Sequence, residues 1–99
     1  MIKHTVLFRL KAFDTDEKKQ EKLGSLKRGL DELMGKVPGL LSVEVGINTN
    51  PNEQYHLALT TTFATMDDLH AYAIHPEHQA VAVQIRELLE KRACVDFKY

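Results

Sequence analysis

Ile2-Lys3-His4-Thr5-Val6-Leu7-Phe8-Arg9-Leu10 alternates strictly, with Ile2, His4, Val6, Phe8 and Leu10 on one side and Lys3, Thr5, Leu7 and Arg9 on the other. A period of two with one apolar side marks a strand half-buried against a core. The pattern returns at Leu41, Val43, Val45 and Ile47, which oppose Ser42, Glu44 and Gly46. After a turn over Asn48 to Glu53, Tyr55, Leu57, Leu59, Thr61 and Phe63 oppose His56, Ala58, Thr60 and Thr62. A fourth run, Ala93 to Tyr99, is expected to turn Ala93, Val95, Phe97 and Tyr99 to the core and Cys94 and Asp96 away from it.

Between these runs the period lengthens. Asp14 or Thr15 can cap a helix whose Leu23, Leu26, Leu30, Leu33 and Val37 recur at three and four residues, predicting an amphipathic helix that ends near Lys36, before Pro38-Gly39. Thr65 caps a shorter helix with Asp67 and Asp68 in its first turn, where the helix dipole favours negative charge. That helix should stop near Ile74, because a residue before proline is pushed out of the α region and Pro76 suits the first position of a new helix. Val81, Ile85, Leu88 and Leu89 give the new helix its buried face. The order is βαββαβ, an α+β ferredoxin-like fold with a four-stranded antiparallel sheet covered by helices on one side, filling residues 1–99 as a single domain.

Of the 99 residues, 43% are hydrophobic and 27% charged, as expected of one small globular core. Nine Lys/Arg against six Asp/Glu lie in residues 1–36, and four against eight in the remainder. The densest basic stretch, Lys18-Lys19-Gln20-Glu21-Lys22, is cut by acid and holds no aromatic, so no nucleic-acid partner is expected. The open face of strands one and three, with Thr5, Leu7, Arg9, Ala58, Thr60 and Thr62, offers no platform for stacking RNA bases. The start of the chain has no apolar leader, no stretch is long enough to span a bilayer, and Cys94 has no partner cysteine. These features suggest a cytoplasmic protein without a membrane partner.

Five histidines are many for this length, and three fall in His70-Ala71-Tyr72-Ala73-Ile74-His75-Pro76-Glu77-His78. His75 and His78 have the spacing of a helical metal pair, and His4 could add a third nitrogen, but no carboxylate of obvious ligand geometry accompanies them. The plainer reading makes His75 a helix cap and assigns no metal. On a continuous helix Tyr72 and His78 would point apart, whereas a break at His75-Pro76 can aim both at one spot. If that spot lies over His4, the site has a phenol, imidazoles and apolar walls from Phe8, Leu30, Val43 and Leu59, with His4 fixing a tautomer.

The opening Met1 to Lys11, the segment Tyr72 to His78 and the terminal Val95-Asp96-Phe97 resemble the stress-responsive A/B barrel (Dabb) domain over essentially the whole chain. The resemblance implies a homodimer whose two sheets join face to face as a dimeric α+β barrel. One member of the family, a polyketide cyclase, performs an aldol closure without metal or cofactor. By that likeness His78 takes the position of the base, Tyr72 that of the acid, and His4 and His75 those of two further histidines. Leu57 stands where the cyclase carries an inward-facing histidine. Three readings follow: a dimer binding a small apolar or phenolic carbonyl compound near His4, Tyr72 and His78, with or without acid–base catalysis; a cyclase-like lyase; and a structural dimer without catalysis. Cofactor-free monooxygenases share the same barrel, and no cofactor is expected under any of these.

Overall fold

The nine residues of the opening run form β1 (Ile2–Leu10), the strand around which a computed structural model of residues 1–99 is organised. The chain continues as α1 (Asp16–Asp31), β2 (Ser42–Ile47), β3 (Leu57–Phe63), α2 (Met66–Ile74), α3 (Pro76–Leu88) and β4 (Leu89–Lys98). All neighbouring strands are antiparallel in the order β2-β3-β1-β4, so β1 and β3 are central and β2 and β4 are edges. The expected βαββαβ order and fold class are present, with the second helical segment divided at His75.

Register assigns the two faces. Val6 opposes Leu59 and Phe8 opposes Leu57, and Leu59 and Leu57 oppose Val45 and Ile47 of β2. Against this face lie Leu23, Leu26 and Leu30 of α1, Leu69 and Tyr72 of α2, and Ile85 of α3, forming one core. Thr15 caps α1, its Oγ1 accepting the Lys18 N–H at 3.1 Å.

Four sequence expectations shift. The α1 pattern does not persist as α-helix to Lys36: after Asp31, Leu33, Met34 and Lys36 donate to carbonyls three residues back, tightening the chain into turns that still bury Leu33 and Val37. Leu40, not Leu41, enters the core ahead of β2. Tyr55 and His56 precede β3, and His56 lies where strand alternation has not begun, its Nδ1 accepting the Leu10 N–H at 3.0 Å.

The largest correction concerns β4. Thr5 opposes Val95, Leu7 opposes Ala93 and Lys3 opposes Phe97, so these apolar residues share the open face, whereas Arg92, Cys94 and Asp96 share the helix-side face with Phe8, Val6 and His4. The cause is a shift in register: Arg9 pairs with Lys91 but Leu10 pairs with Leu89, leaving Glu90 as an extra residue. A bulge of this kind reverses the alternation, so Leu89 packs toward the core while Val95 and Phe97 face outward. Val95 is 56% and Phe97 42% exposed.

Two glycines hold left-handed backbone after α1, Gly35 at φ 85° and Gly39 at φ 86°. A Cβ on Gly35 would meet open space, but on Gly39 it would come within 3.1 Å of the Asp68 side chain in the first turn of α2. Gly35→Ala is therefore expected to cost about 1 kcal/mol of stability, and Gly39→Ala measurably more. Equal urea midpoints for the two variants would show that Asp68 yields without cost.

Candidate functional site

Proline lacks an N–H and restricts the residue before it, and both effects act at His75-Pro76. His75 takes extended backbone (φ −65°, ψ 136°), ending α2 and capping α3, with Pro76 as the first residue of the new helix. The His75 N–H donates to the Tyr72 carbonyl at 3.1 Å, and its Nδ1 accepts the Glu77 N–H at 3.1 Å. The last turn of α2 and the first turn of α3 thereby meet at an angle, and the Tyr72 and His78 rings lie 4.4 Å apart between centroids. Tyr72 also stands edge-on to His4 at 6.4 Å and against Phe63 at 5.2 Å.

The rings of His4, Tyr72 and His78 border a cavity of about 380 Å³ between the helices and the sheet, and its apolar lining includes Val6, Phe8, Leu30, Leu59, Leu69 and Ile85. Of the residues singled out from the sequence, His4, Tyr72, His78, Phe8, Leu30 and Leu59 meet there. Three do not. His75 is committed to the cap, Val43 packs against the core without reaching the cavity, and Leu57 is buried between Phe8 and Ile47 without lining it. Gln79, Arg86 and Arg92 border the cavity without having been singled out. Arg86 was readable from its helical spacing with His78 and Ala82, whereas Arg92 was concealed by the bulge that reverses β4.

Tyr72 is 1% exposed, and its hydroxyl has no hydrogen-bond partner in the chain. Burial pushes its pKa up to about 12, so the phenol keeps its proton near neutral pH and has an O–H to donate. The hydroxyl of Thr61, the cross-strand neighbour of His4, is likewise buried without a partner. A buried polar atom left unpaired costs roughly 1–3 kcal/mol, so such groups call for an explanation.

His78 Nδ1 lies 3.0 Å from the Ala73 carbonyl, which can only accept, so the neutral ring carries its proton on Nδ1 and a lone pair on Nε2. The tautomer is set by the Ala73 carbonyl, not by His4 as the sequence suggested. Burial lowers the His78 pKa, the bond to Ala73 opposes this, and the charges of His4, Arg86 and Arg92 lower it further. His4 Nδ1 is in close contact with the Asp96 carboxylate across the strand pair. Burial, reinforced by Asp96, raises the Cys94 pKa and keeps its thiol protonated at neutral pH.

The metal set that spacing allowed, His4 with His75 and His78, is not brought together: His75 Nδ1 accepts the Glu77 N–H, which puts the neutral ring's proton on Nε2, and His75 stands outside the cavity that His4 and His78 border. The groups that could approach a metal ion together are His4, Cys94 and Asp96, with donor atoms within 4.8 Å of one another. They are neighbours on paired strands, and the His4–Asp96 contact accounts for their closeness. A wider cleft of about 530 Å³ lies at the end of β1, lined by Arg9, Lys19, His56 and Glu90 among others. Within it Arg9 pairs with Glu90 at 3.2 Å and also donates to the Gln54 carbonyl. No helix is long and apolar enough to cross a membrane.

Residues 2–99 match the family model described as the stress responsive A/B barrel domain. The chain is 30% identical over 102 residues to the stress-response A/B barrel domain-containing protein DABB1 of Arabidopsis thaliana, covering 98% of this chain and 46% of that protein. It thus spans about half the length of the curated relative it matches. A dimeric protein of unknown function with a ferredoxin-like fold, from Bacteroides fragilis, superposes with a TM-score of 0.92 at 39% identity, covering 99% of this chain and 95% of that one. A dimeric ferredoxin-like protein of unknown function from Thermobifida fusca gives 0.81 at 25% identity, with 99% and 90% covered.

In an NMR titration, His78 should show a midpoint below 6.5 that rises in His4→Ala, where one neighbouring positive charge is lost. The unfolded chain binds a proton near 6.5 that folded His78 refuses until a lower pH. The His78 contribution to stability is therefore intact above that value and declines as pH falls through the folded midpoint. His78→Gln should flatten this acid-side slope, while His56, shifted the same way mainly by burial, preserves part of it. Urea midpoints that fall as steeply between pH 7 and 5 in His78→Gln as in the wild type would contradict the burial of His78.

Proposed function

The chain belongs to the stress-responsive A/B barrel (Dabb) family, and on that premise we propose that it is a homodimer whose helix-side cavity binds a small apolar or phenolic carbonyl compound. The observation that carries this reading is the Tyr72 hydroxyl, buried and unpaired on a residue that lines an apolar cavity. Such a group remains in a fold at a cost in stability, and a bound carbonyl oxygen would satisfy it. The cavity is at the small end of the range for small-molecule sites, with few polar groups in a mostly apolar wall.

The same arrangement suits proton abstraction next to a carbonyl. His78, kept neutral and with Nε2 unprotonated, acts as the base, while the Tyr72 hydroxyl donates to the oxygen on which negative charge develops. His4, held by Asp96, forms the third polar wall. In this reading no metal or cofactor takes part, because a neutral imidazole and a protonated phenol supply both halves of the proton transfer.

Dimerisation is supported from the other face. The open side of β4 presents Ala93, Val95 and Phe97 beside Leu7 of β1, and the similar solved structures named above are dimeric. A second copy of the same sheet would cover this patch, as an isologous two-fold interface requires.

Two outcomes follow. Tyr72→Phe removes an unpaired hydroxyl and should raise stability by about 1 kcal/mol, yet lose the binding of phenolic ketones detected by thermal shift against wild type. A variant that is less stable and binds equally well would defeat the pocket reading. In sedimentation equilibrium at micromolar concentration the protein should have twice the chain mass, and Val95→Asp should shift it toward the monomer. A wild-type monomer under those conditions would remove the dimer.

A further inference from the structure

The charged residues bordering the cavity are of one sign. Arg86 and Arg92 reach it from α3 and β4, both exposed, and neither makes an ion pair. Arg86 is held in place by a neutral group: its Nη2 donates to Gln79 Oε1 at 3.1 Å, and Gln79 Nε2 donates in turn to the Ala73 carbonyl at 2.5 Å. Its position is fixed while its charge is left uncompensated. No Asp or Glu lines the cavity, and the nearby Asp96 carboxylate is taken up by His4 Nδ1. Of the four arginines only Arg9 has a carboxylate partner, Glu90; Arg28 also lacks one, and what sets Arg86 and Arg92 apart is that both border the cavity.

We propose that the ligand of this cavity carries a carboxylate, held at the rim by Arg86 and Arg92 while its apolar body enters beside Tyr72 and His78. This rests on the reading of the cavity as a ligand site and narrows the ligand to an apolar carboxylic acid bearing a carbonyl or phenol. Guanidinium groups match the two oxygens of a carboxylate with paired N–H donors, which fixes the orientation of the bound molecule as well as adding affinity. The unpaired hydroxyl of Tyr72, a residue that lines the same cavity, would give the opposite end of that molecule its polar contact. One end would thus be held by charge at the rim and the other by a hydrogen bond in the interior.

The test compares 4-butylbenzoate with 4-butylbenzyl alcohol, which share a skeleton and differ in charge, by NMR perturbation of the full-length protein. At low salt the benzoate should bind about tenfold more tightly than the alcohol, and added salt should narrow the gap by weakening the benzoate alone. Arg92→Gln and Arg86→Gln should each reduce the preference and together abolish it, leaving alcohol affinity unchanged; Arg92→Lys should keep most of it. The salt series on wild type decides the question even if a variant folds poorly. Equal affinities for acid and alcohol, or a preference that persists without both arginines, would overturn the carboxylate assignment and leave the cavity reading standing. If neither probe perturbs Tyr72 or His78, the cavity reading fails and this assignment fails with it.

Discussion

The missing amide hydrogen of Pro76 is the constraint on which the site depends. A continuous helix from Met66 to Leu88 would set Tyr72 and His78 about 240° apart around its axis, one turned away from the sheet whenever the other faced it. With the helix broken, the backbone groups freed at the break need partners, and His75 supplies both: its N–H to Tyr72 and its Nδ1 to Glu77. A histidine that could have been a ligand is used to stabilise the bend. The two rings it separates are thereby brought to 4.4 Å, with His4 of β1 beside Tyr72.

The sheet imposes the second constraint, because alternation commits each strand residue to one face. His4 and Thr5 are adjacent in sequence, yet His4 meets Asp96 on the helix side while Thr5 meets Val95 on the open side. Through β4, polar Arg92, Cys94 and Asp96 fall on the cavity side and apolar Ala93, Val95 and Phe97 on the other. This inverts the usual distribution for a monomer, where the apolar side of a strand turns to its own core. It makes sense if the core beneath β4 is partly given over to a cavity and the outer face is the one to be covered.

The sequence made the strands, the helix starts and the break at Pro76 legible, because each rests on local chemistry: alternation, a capping hydroxyl, a missing N–H. It also brought Tyr72, His78 and His4 to attention, since a break between two short segments can be seen without coordinates. The phase of β4 was not legible. Leu88 and Leu89 read as the end of a helix's buried face and Ala93, Val95 and Phe97 as the core side of a later strand, and only the pairing of Leu10 with Leu89 shows that the strand starts at Leu89 and carries an extra residue at Glu90. That single bulge concealed Arg92 and Asp96. Val43 and Leu57 were misplaced for a different reason: facing the core is a property of the whole strand, whereas lining a cavity depends on where the helices leave space.

The electrostatics of the site are consistent with one another in a way no single residue requires. Burial and the neighbouring cations favour the neutral form of His78, and burial alone favours the neutral form of Tyr72. A neutral base and a neutral acid can therefore face each other at the same pH, which two groups in water with ordinary values of about 6.5 and 10 would do only between them. The arginines that add to the effect of burial on His78 are also the ones that would attract an anion to the rim. Once such an anion is seated, its charge offsets theirs, and the affinity of His78 for a proton rises just where a base is needed. On the proposed reading, charge at the rim and basicity in the interior would be coupled through space, without any movement of the backbone.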